Sequence, residues 1–168
     1  EADALLLGGG YPELCARQLS ENVSMRNSIR EAIENGMPSV AECGGFMYLH
    51  ESMTDEEGEK WPMTGIRTGS CHNRGKLVRF GYVNVTEQTS HFLAGKPVRA
   101  HEFHYYDSDN NGESCVAVKP VSGTSWTCIH EDDRNWWGYP HLYYPSNPAF
   151  VEHFVQAARL YHRERNAK

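Results

Sequence analysis

One cysteine of this chain stands where a reactive nucleophile could be built. Cys43 follows a short apolar, strand-like run at residues 38–41 and precedes two glycines and a helix-like segment at residues 46–49. A strand that turns sharply into a helix with the reactive residue at the corner is a nucleophile elbow. The glycines relieve the strain of such a turn, and the N–H groups of the helix start are expected to lower the thiol pKa. A buried structural cysteine beside a tight turn is the alternative interpretation of this stretch.

A cysteine nucleophile needs a base, and histidine is the usual base near neutral pH. Of nine histidines, the best candidate is His141, within the late strand-like segment at residues 138–143. Reactive groups of α/β sheets gather at the carboxyl ends of strands, which favours this position. Taken by itself, His141 would be an ordinary core or edge histidine, so its assignment depends on Cys43.

Three consecutive glycines at residues 8–10 end the first apolar run. Such a loop exposes backbone N–H groups that can bind an oxyanion or a phosphate. No Gly-Lys-Ser/Thr sequence follows, which excludes a Walker phosphate loop, and the dinucleotide-binding fingerprint is also missing. A plain strand-to-helix turn is the alternative.

His101, Glu102 and His104 form a cluster that suggests a metal site. Their spacing does not fit the helical H-E-x-x-H motif of zinc enzymes, and alternation along a strand would place the two histidines on opposite faces. We therefore predict no metal site here, but a structural role or a place in the wall of the active site.

The elements that position these residues follow a β-α-β-α order in the first half of the chain. Residues 4–7 read as a buried parallel strand, Pro12 and Glu13 as a helix start, and Ser24 as the cap of a helix that Gly36 ends. The apolar face of that helix is predicted to contain Met25, Ile29, Ala32 and Ile33. The order predicts a three-layer, flavodoxin-like α/β fold with a mainly parallel central sheet flanked by helices.

The second half of the chain is richer in strands, some of them antiparallel. Residues 54–60 read as a surface loop, and strands are predicted at 76–86, 98–106, 115–119, 125–130 and 139–144. Ser146, Asn147 and Pro148 then predict the start of a final helix. That helix is predicted to bury Phe150, Val151, Phe154, Val155, Ala158 and Tyr161.

Length and composition set broad limits. The 168 residues fit a single domain, and a net charge of −6 with a pI near 5.8 argues against nucleic acid or anionic membrane as a partner. No apolar run approaches membrane-spanning length. Five scattered cysteines without a C-x-x-C pair favour a reduced, cytoplasmic setting. The chain begins almost directly in a strand without an initiator methionine, so we expect residues 1–168 to be one domain of a longer protein.

Together these segments resemble the glutaminase domains of cobyrinic and cobyric acid synthases, which are class I, triad-type glutamine amidotransferases. The segments that carry the resemblance are L-L-L-G-G-G-Y-P-E at residues 5–13, A-E-C-G-G-F-M-Y-L at 41–49, H-E-F-H-Y at 101–105, and H-L-Y at 141–143 followed by S-N-P at 146–148. Their order and spacing extend over nearly the whole chain.

The resemblance implies roles for individual residues. Cys43 would attack the side-chain amide of glutamine, and His141 would act as general base and then as acid. Gly9, Gly10, Tyr11 and Gly44 would hold the substrate and the oxyanion, with backbone N–H groups of Gly10 and Gly44 facing the oxyanion. The domain itself would need no cofactor.

The resemblance also implies partners. An N-terminal amidoligase domain, absent from this sequence, would use ATP and Mg²⁺ to activate the a and c carboxylates of a cobyrinic acid-type tetrapyrrole. Related enzymes act on nickel-sirohydrochlorin or hydrogenobyrinic acid, so this domain alone does not determine the acceptor.

The chain departs from the class I pattern at one position. Other members place a glutamate two residues after the histidine, where this chain has Tyr143. Glu102 is therefore a candidate third member of the triad, and His101 is a candidate supporting residue. Three rival interpretations stay open: a cysteine hydrolase or peptidase of the same fold, a degenerate docking module, and a metal enzyme that uses the His101 cluster.

Overall fold

A computed structural model describes residues 2–167 of the chain. Within these residues four α-helices form, α1 to α4, at Ala16–Glu21, Val23–Glu34, Gly44–Tyr48 and Pro148–Asn166. Thirteen strands form in the same range, β1 to β13, at Leu5–Leu7, Ser39–Glu42, His50–Thr54, Lys60–Pro62, Arg67–Asn73, Arg79–Glu87, Val98–His104, Tyr106–Ser108, Cys115–Val118, Ser125–Cys128, His130–Glu131, Asn135–Gly138 and His141–Leu142. Short 3-10 turns occupy Pro12–Cys15 and Tyr144–Ser146.

The central sheet places the glycine loop and Cys43 at the carboxyl ends of its parallel strands. Its strand order among the described residues is β1-β2-β12-β11, with β1 and β12 parallel to β2 and β11 antiparallel to β12. Strand β2 is buried at all four positions, as expected for an inner parallel strand. The carboxyl ends of β1, β2 and β12 therefore meet, and the site forms where they meet.

Two further sheets complete the fold. An antiparallel sheet has the order β10-β9-β6-β7-β13, and a mixed sheet has the order β4-β3-β5-β8. The apolar core has two parts, one on each side of the central sheet. The first contains Ala41, Phe46, Leu49 and Trp137 with α2 and α3, and the second joins Val40 and Trp136 to the antiparallel sheet and Phe150 of α4. These layers agree with the predicted α/β class.

Several local predictions are confirmed. Residues 55–59 form the turn between β3 and β4, within the predicted loop. Gly36 follows α2 with a φ of +89°, in the left-handed region that favours glycine. Asn147 caps α4 by accepting a hydrogen bond from the Ala149 N–H, with Pro148 at the first helical position.

Other local predictions are wrong. The cap of α2 is Asn22, which accepts from the Met25 N–H, because the helix begins at Val23 and Ser24 already lies inside it. In α4 the predicted burial is confirmed for Phe150 but wrong for Val151 and Val155, which are exposed. Phe154, Ala158 and Tyr161 are half-buried, and Ala157 is buried although it was not predicted to be.

Strand boundaries shift as well. The predicted strand at 98–106 divides into β7 and β8, the one at 125–130 into β10 and β11, and the one at 139–144 is replaced by β12 and β13. Strands β3, β4 and β5 have no counterpart among the predictions, since their sequences carry little apolar alternation. Among the helices described in residues 2–167, none has the length and apolarity that a membrane crossing requires.

Candidate active site

Cys43 lies at the corner between β2 and α3. Its φ of +49° and ψ of −108° place a non-glycine residue in a strained region, which is the mark of a nucleophile elbow. Its N–H donates to the carbonyl of Gly138 at 2.9 Å, which joins the elbow to the end of β12. A Cβ on Gly45 would lie 2.3 Å from the Leu7 carbonyl oxygen, so this turn can form against β1 only with glycine at that position.

The electrostatics of the thiol differ from the prediction. Burial raises the pKa of Cys43 to about 11, and the Gly44 N–H acts in the opposite direction but is the smaller effect. The carboxylates of Glu13, Glu102 and Glu42 raise the pKa further. The predicted lowering by the helix start is therefore wrong, because α3 has only five residues and the sulfur is removed from water, with Cys43 only 8% exposed. The Cys43 side chain at rest is therefore a neutral thiol.

His141 lies on β13, opposite His101 in the register with β7. Its ring packs against the glycine loop so closely that a Cβ on Gly9 would be 2.4 Å from the imidazole Cε1. Burial lowers the pKa of His141, and His101 and His104 lower it further. The imidazole is thus neutral near pH 7 and can accept a proton.

The glycine loop connects the cysteine to the histidine. The Gly8 carbonyl accepts the Gly45 N–H at 3.1 Å, while Gly9 contacts the His141 ring. Gly10 has a φ of +153°, and its carbonyl oxygen lies 2.8 Å from the position that a Cβ on Gly44 would take. The glycine loop therefore contacts both the turn that carries Cys43 and the ring of His141.

Glu42 is a functional candidate that the sequence analysis missed. Its Oε2 lies 3.8 Å from Nδ1 of His141, within ion-pair range but too far for a hydrogen bond. The Tyr144 hydroxyl donates to Oε1 at 2.7 Å, and burial raises the pKa of Glu42. The sequence did offer a signal for Glu42, since it is a charged residue at the end of an apolar strand and a buried carboxylate needs a partner.

The remaining predicted residues lie around this centre. Glu102 is buried, and its carboxylate contacts Nε2 of His104 at 3.1 Å, whereas His101 shares the outward face of β7. Nδ1 of His104 contacts the Tyr106 carbonyl at 2.6 Å, and since a carbonyl only accepts, Nδ1 carries a proton.

Tyr11 and Tyr143 lie at the periphery of the site. Tyr11 is exposed at the start of the 3-10 turn that follows the glycine loop. Tyr143, at the position of the class I glutamate, points largely to solvent. No cluster of three or more potential metal-ligating side chains was found in the part of the chain that the structure describes, residues 2–167.

A neutral thiol and a neutral imidazole, both held against the glycine loop, support one kind of chemistry. The imidazole can take the thiol proton as the sulfur attacks a carbonyl carbon, and it can return that proton to the leaving group. The Gly44 N–H points at the sulfur, and a backbone N–H next to an attacking sulfur can stabilise the negative charge that develops on a carbonyl oxygen. The arrangement suits acyl transfer with a small leaving group.

The sequence and the fold of this chain are similar to those of known proteins. Residues 1–149 match the family described as CobB/CobQ-like glutamine amidotransferase domain. Cobyrinate a,c-diamide synthase of Caldanaerobacter subterraneus subsp. tengcongensis is 40% identical over 77% of this chain and 30% of its own length. The synthase of the same name from Listeria innocua is 35% identical over 95% of this chain and 36% of its own length. The chain thus spans about a third of these relatives.

A solved structure described as a glutamine amidotransferase supports the fold. It superposes with a TM-score of 0.63, covering 93% of this chain and 79% of its own, at 15% identity. The family match extends from the glycine loop through the elbow to His141. The chain belongs to the family of CobB/CobQ-like glutamine amidotransferase domains.

Proposed function

We propose that this chain is the glutaminase part of a longer, ATP-dependent amidotransferase, and that Cys43 and His141 release ammonia from glutamine through a thioester. The observation that carries the proposal is the glycine loop, which contacts the elbow through Gly8 and the His141 ring through Gly9. That contact brings a neutral thiol and a neutral base to one edge of the central sheet.

The reaction follows from the protonation states. With Nδ1 of His141 turned toward Glu42, Nε2 is the nitrogen that takes the Cys43 proton. The sulfur then bonds to the amide carbon of glutamine, and the oxyanion accepts hydrogen bonds from backbone N–H groups of Gly44 and Gly10. Collapse breaks the C–N bond as His141 gives its proton to the departing ammonia. Water, deprotonated by the neutral imidazole, hydrolyses the γ-glutamyl thioester to glutamate and restores the thiol.

Glu42 acts in this scheme as a positioning residue. Its carboxylate faces Nδ1 and stabilises the imidazolium that forms after proton transfer, in place of the glutamate that other class I members carry where Tyr143 stands here. The hydrogen bond from Tyr144 holds that carboxylate in place. Glu102, which contacts His104, contributes negative potential to the site rather than a direct contact with His141.

The acceptor is proposed from the relatives. Their shared name indicates amidation of the a and c carboxylates of cobyrinate, a step of cobalamin synthesis, in proteins about three times as long as this chain. We place ATP and Mg²⁺ with the remainder of such a protein, since the glycine loop lacks the Lys and Ser/Thr of a phosphate loop. The cytoplasm is the expected location.

The test is glutamate production from glutamine by this chain and by matched variants. Cys43→Ala should abolish it, whereas Cys15→Ala, at a partly exposed cysteine in the turn before α1, should leave it unchanged. His141→Ala should lower the rate by roughly a hundredfold to ten-thousandfold, and His162→Ala, on the exposed end of α4, should not.

The thioester has its own assay. Hydroxylamine added during turnover should yield γ-glutamyl hydroxamate, since it captures the acyl group from sulfur. Turnover that survives Cys43→Ala, or hydrolysis of peptides or esters in preference to glutamine, would contradict the assignment and favour a hydrolase of the same fold.

A further inference from the structure

The outward face of the antiparallel sheet carries exposed aromatic side chains next to the candidate active site. Tyr82 is 77% exposed, Phe80 56% and Phe103 43%, and His101 and Tyr105 lie beside them. Strands β6 and β7 pair Phe80 with Phe103 and Tyr82 with His101, so these side chains share one face. We call these five residues the aromatic face.

The aromatic face is ordered by its own contacts. Phe80 meets Phe103 edge-on at 5.8 Å between ring centroids, Tyr82 meets His101 at 5.3 Å, and Phe103 meets Tyr105 at 5.8 Å. Rings held in this way lose little freedom when a partner covers them. The face is thus preorganised for binding.

The charge of this face also differs from the rest of the chain. Within the described residues, the outward positions of β6, β7 and β9 carry no carboxylate, although the chain has 22 acidic residues and a net charge of −6. Those positions are Phe80, Tyr82, Asn84, Thr86, Arg99, His101, Phe103, Val116 and Val118. Aromatic enrichment, the presence of arginine and the depletion of carboxylates are together typical of the core of a protein interface.

The aromatic face is continuous with the catalytic centre. His101 pairs with Tyr82 on one side and with His141 on the other, so a row of side chains crosses three strands and ends at the candidate base. A domain bound to the aromatic face would therefore reach the rim of the candidate active site.

We propose that the aromatic face is the docking surface for the acceptor-binding remainder of the full-length polypeptide. The relatives carry about two thirds of their length outside the matched region, enough for a folded domain that must be held against this one. Docking beside His141 would pass ammonia to the acceptor instead of releasing it to water. The proposal rests on the proposed function in assuming a longer amidotransferase.

Photo-crosslinking in the full-length protein tests the contact without relying on activity. p-Benzoylphenylalanine replaces Tyr82, a position exposed enough to accept another aromatic side chain, and the control replaces Val121, which is 98% exposed at the β9–β10 turn. Mixing ¹⁵N-labelled and unlabelled protein separates links within one chain from links between two copies. We expect links from position 82 to peptides outside residues 1–168 of the same chain, and none above background from position 121.

Three results would overturn the proposal: links from position 82 only to residues 1–168 of a second copy, links to no peptide, or equal links from both positions. A functional readout uses the double variant Tyr82→Ala, Phe103→Ala in the full-length protein. Glutamate formed per amide formed should rise several-fold, while amidation supported by added ammonium should persist. An unchanged ratio would also overturn the proposal. If glutamate is not formed even by the unsubstituted protein, the proposed function fails, whereas the crosslinking result stands on its own.

Discussion

Substituting Gly9 tests whether the glycine loop positions His141. An added Cβ would lie 2.4 Å from Cε1 of the imidazole, whereas ordinary contacts of this kind begin near 3.4 Å, so the ring must move by about 1 Å. Gly9 does not have a positive φ, so alanine costs no backbone strain there. The half-exposed ring can move without unfolding the protein, but a displacement of about 1 Å in a reacting group can lower a rate by roughly a hundredfold.

Gly8→Ala is the matched control, because a Cβ at Gly8 meets nothing within 4 Å and its φ is not positive either. We expect Gly9→Ala to lower kcat for glutamine hydrolysis by roughly a hundredfold with KM and Tm little changed, and Gly8→Ala to behave as the parent chain. Steady-state glutamate production and thermal melting of the three proteins measure this. Equal kcat for the two variants would refute the proposed contact between loop and base, and a collapse of Tm in Gly9→Ala alone would show that Gly9 serves folding instead.

Three further predictions follow from the protonation states and the loop. Because burial lowers the pKa of His141, kcat/KM should fall with decreasing pH only below 6.5, and an acid limb centred above 6.5 would contradict this. Because the pKa of Cys43 is about 11, the pH profile should show no inflexion near the ordinary thiol value of 9.0. Glu42→Gln should lower kcat by less than the roughly ten-thousandfold seen when a hydrogen-bonded triad carboxylate is lost. It should also move the acid limb of the pH profile to lower pH, because the His141 imidazolium loses a carboxylate at 3.8 Å. An acid limb that does not move would indicate that Glu42 has a purely structural role. A flip of the Gly9–Gly10 peptide would turn the proposed Gly10 N–H donor toward or away from the oxyanion, and glycines on both sides of that peptide keep the flip inexpensive. This chain alone should therefore hydrolyse glutamine roughly a hundredfold to a thousandfold more slowly than the full-length protein with ATP and acceptor; equal rates would show that the site is formed constitutively.

Local chemistry made part of this structure predictable. The apolar run of β2, the glycines after Cys43 and the Asn147-Pro148 cap each act within a few residues, so the sequence alone indicates the elbow and the start of α4. The fold class followed from the order of such elements. Patterns of this kind carry the information because their causes are steric and local.

Strands β3 and β5 were not predictable in the same way. Their buried positions include the polar residues His50 and Ser52, and the His50 ring contacts the Phe46 carbonyl and the hydroxyl of Ser108, which is 58 residues away. A buried polar residue whose partner is distant in sequence gives no periodic apolar signal.

The electrostatics of the site could not be predicted from the sequence either, because they depend on residues that only the fold brings together. The thiol pKa is a balance between the N–H groups of a helix start, visible in the sequence, and the burial of the sulfur, which depends on packing from several elements. The proximity of Glu42 to His141 likewise arises only when β13 docks beside β2. Both quantities require coordinates.

The two candidate catalytic residues belong to different sheets, and this affects how activity appears during folding. Cys43 directly follows β2 of the central sheet, whereas His141 lies on β13 of the antiparallel sheet. The core formed by Val40, Trp136 and the antiparallel strands joins the two sheets. The pair is separated by about 100 residues of chain, and contacts between such distant residues form slowly because the loop entropy is lost first. During refolding from denaturant, glutaminase activity should therefore return together with the slowest recovery of tryptophan fluorescence; activity that returns earlier would mean that the site assembles before the sheets have docked.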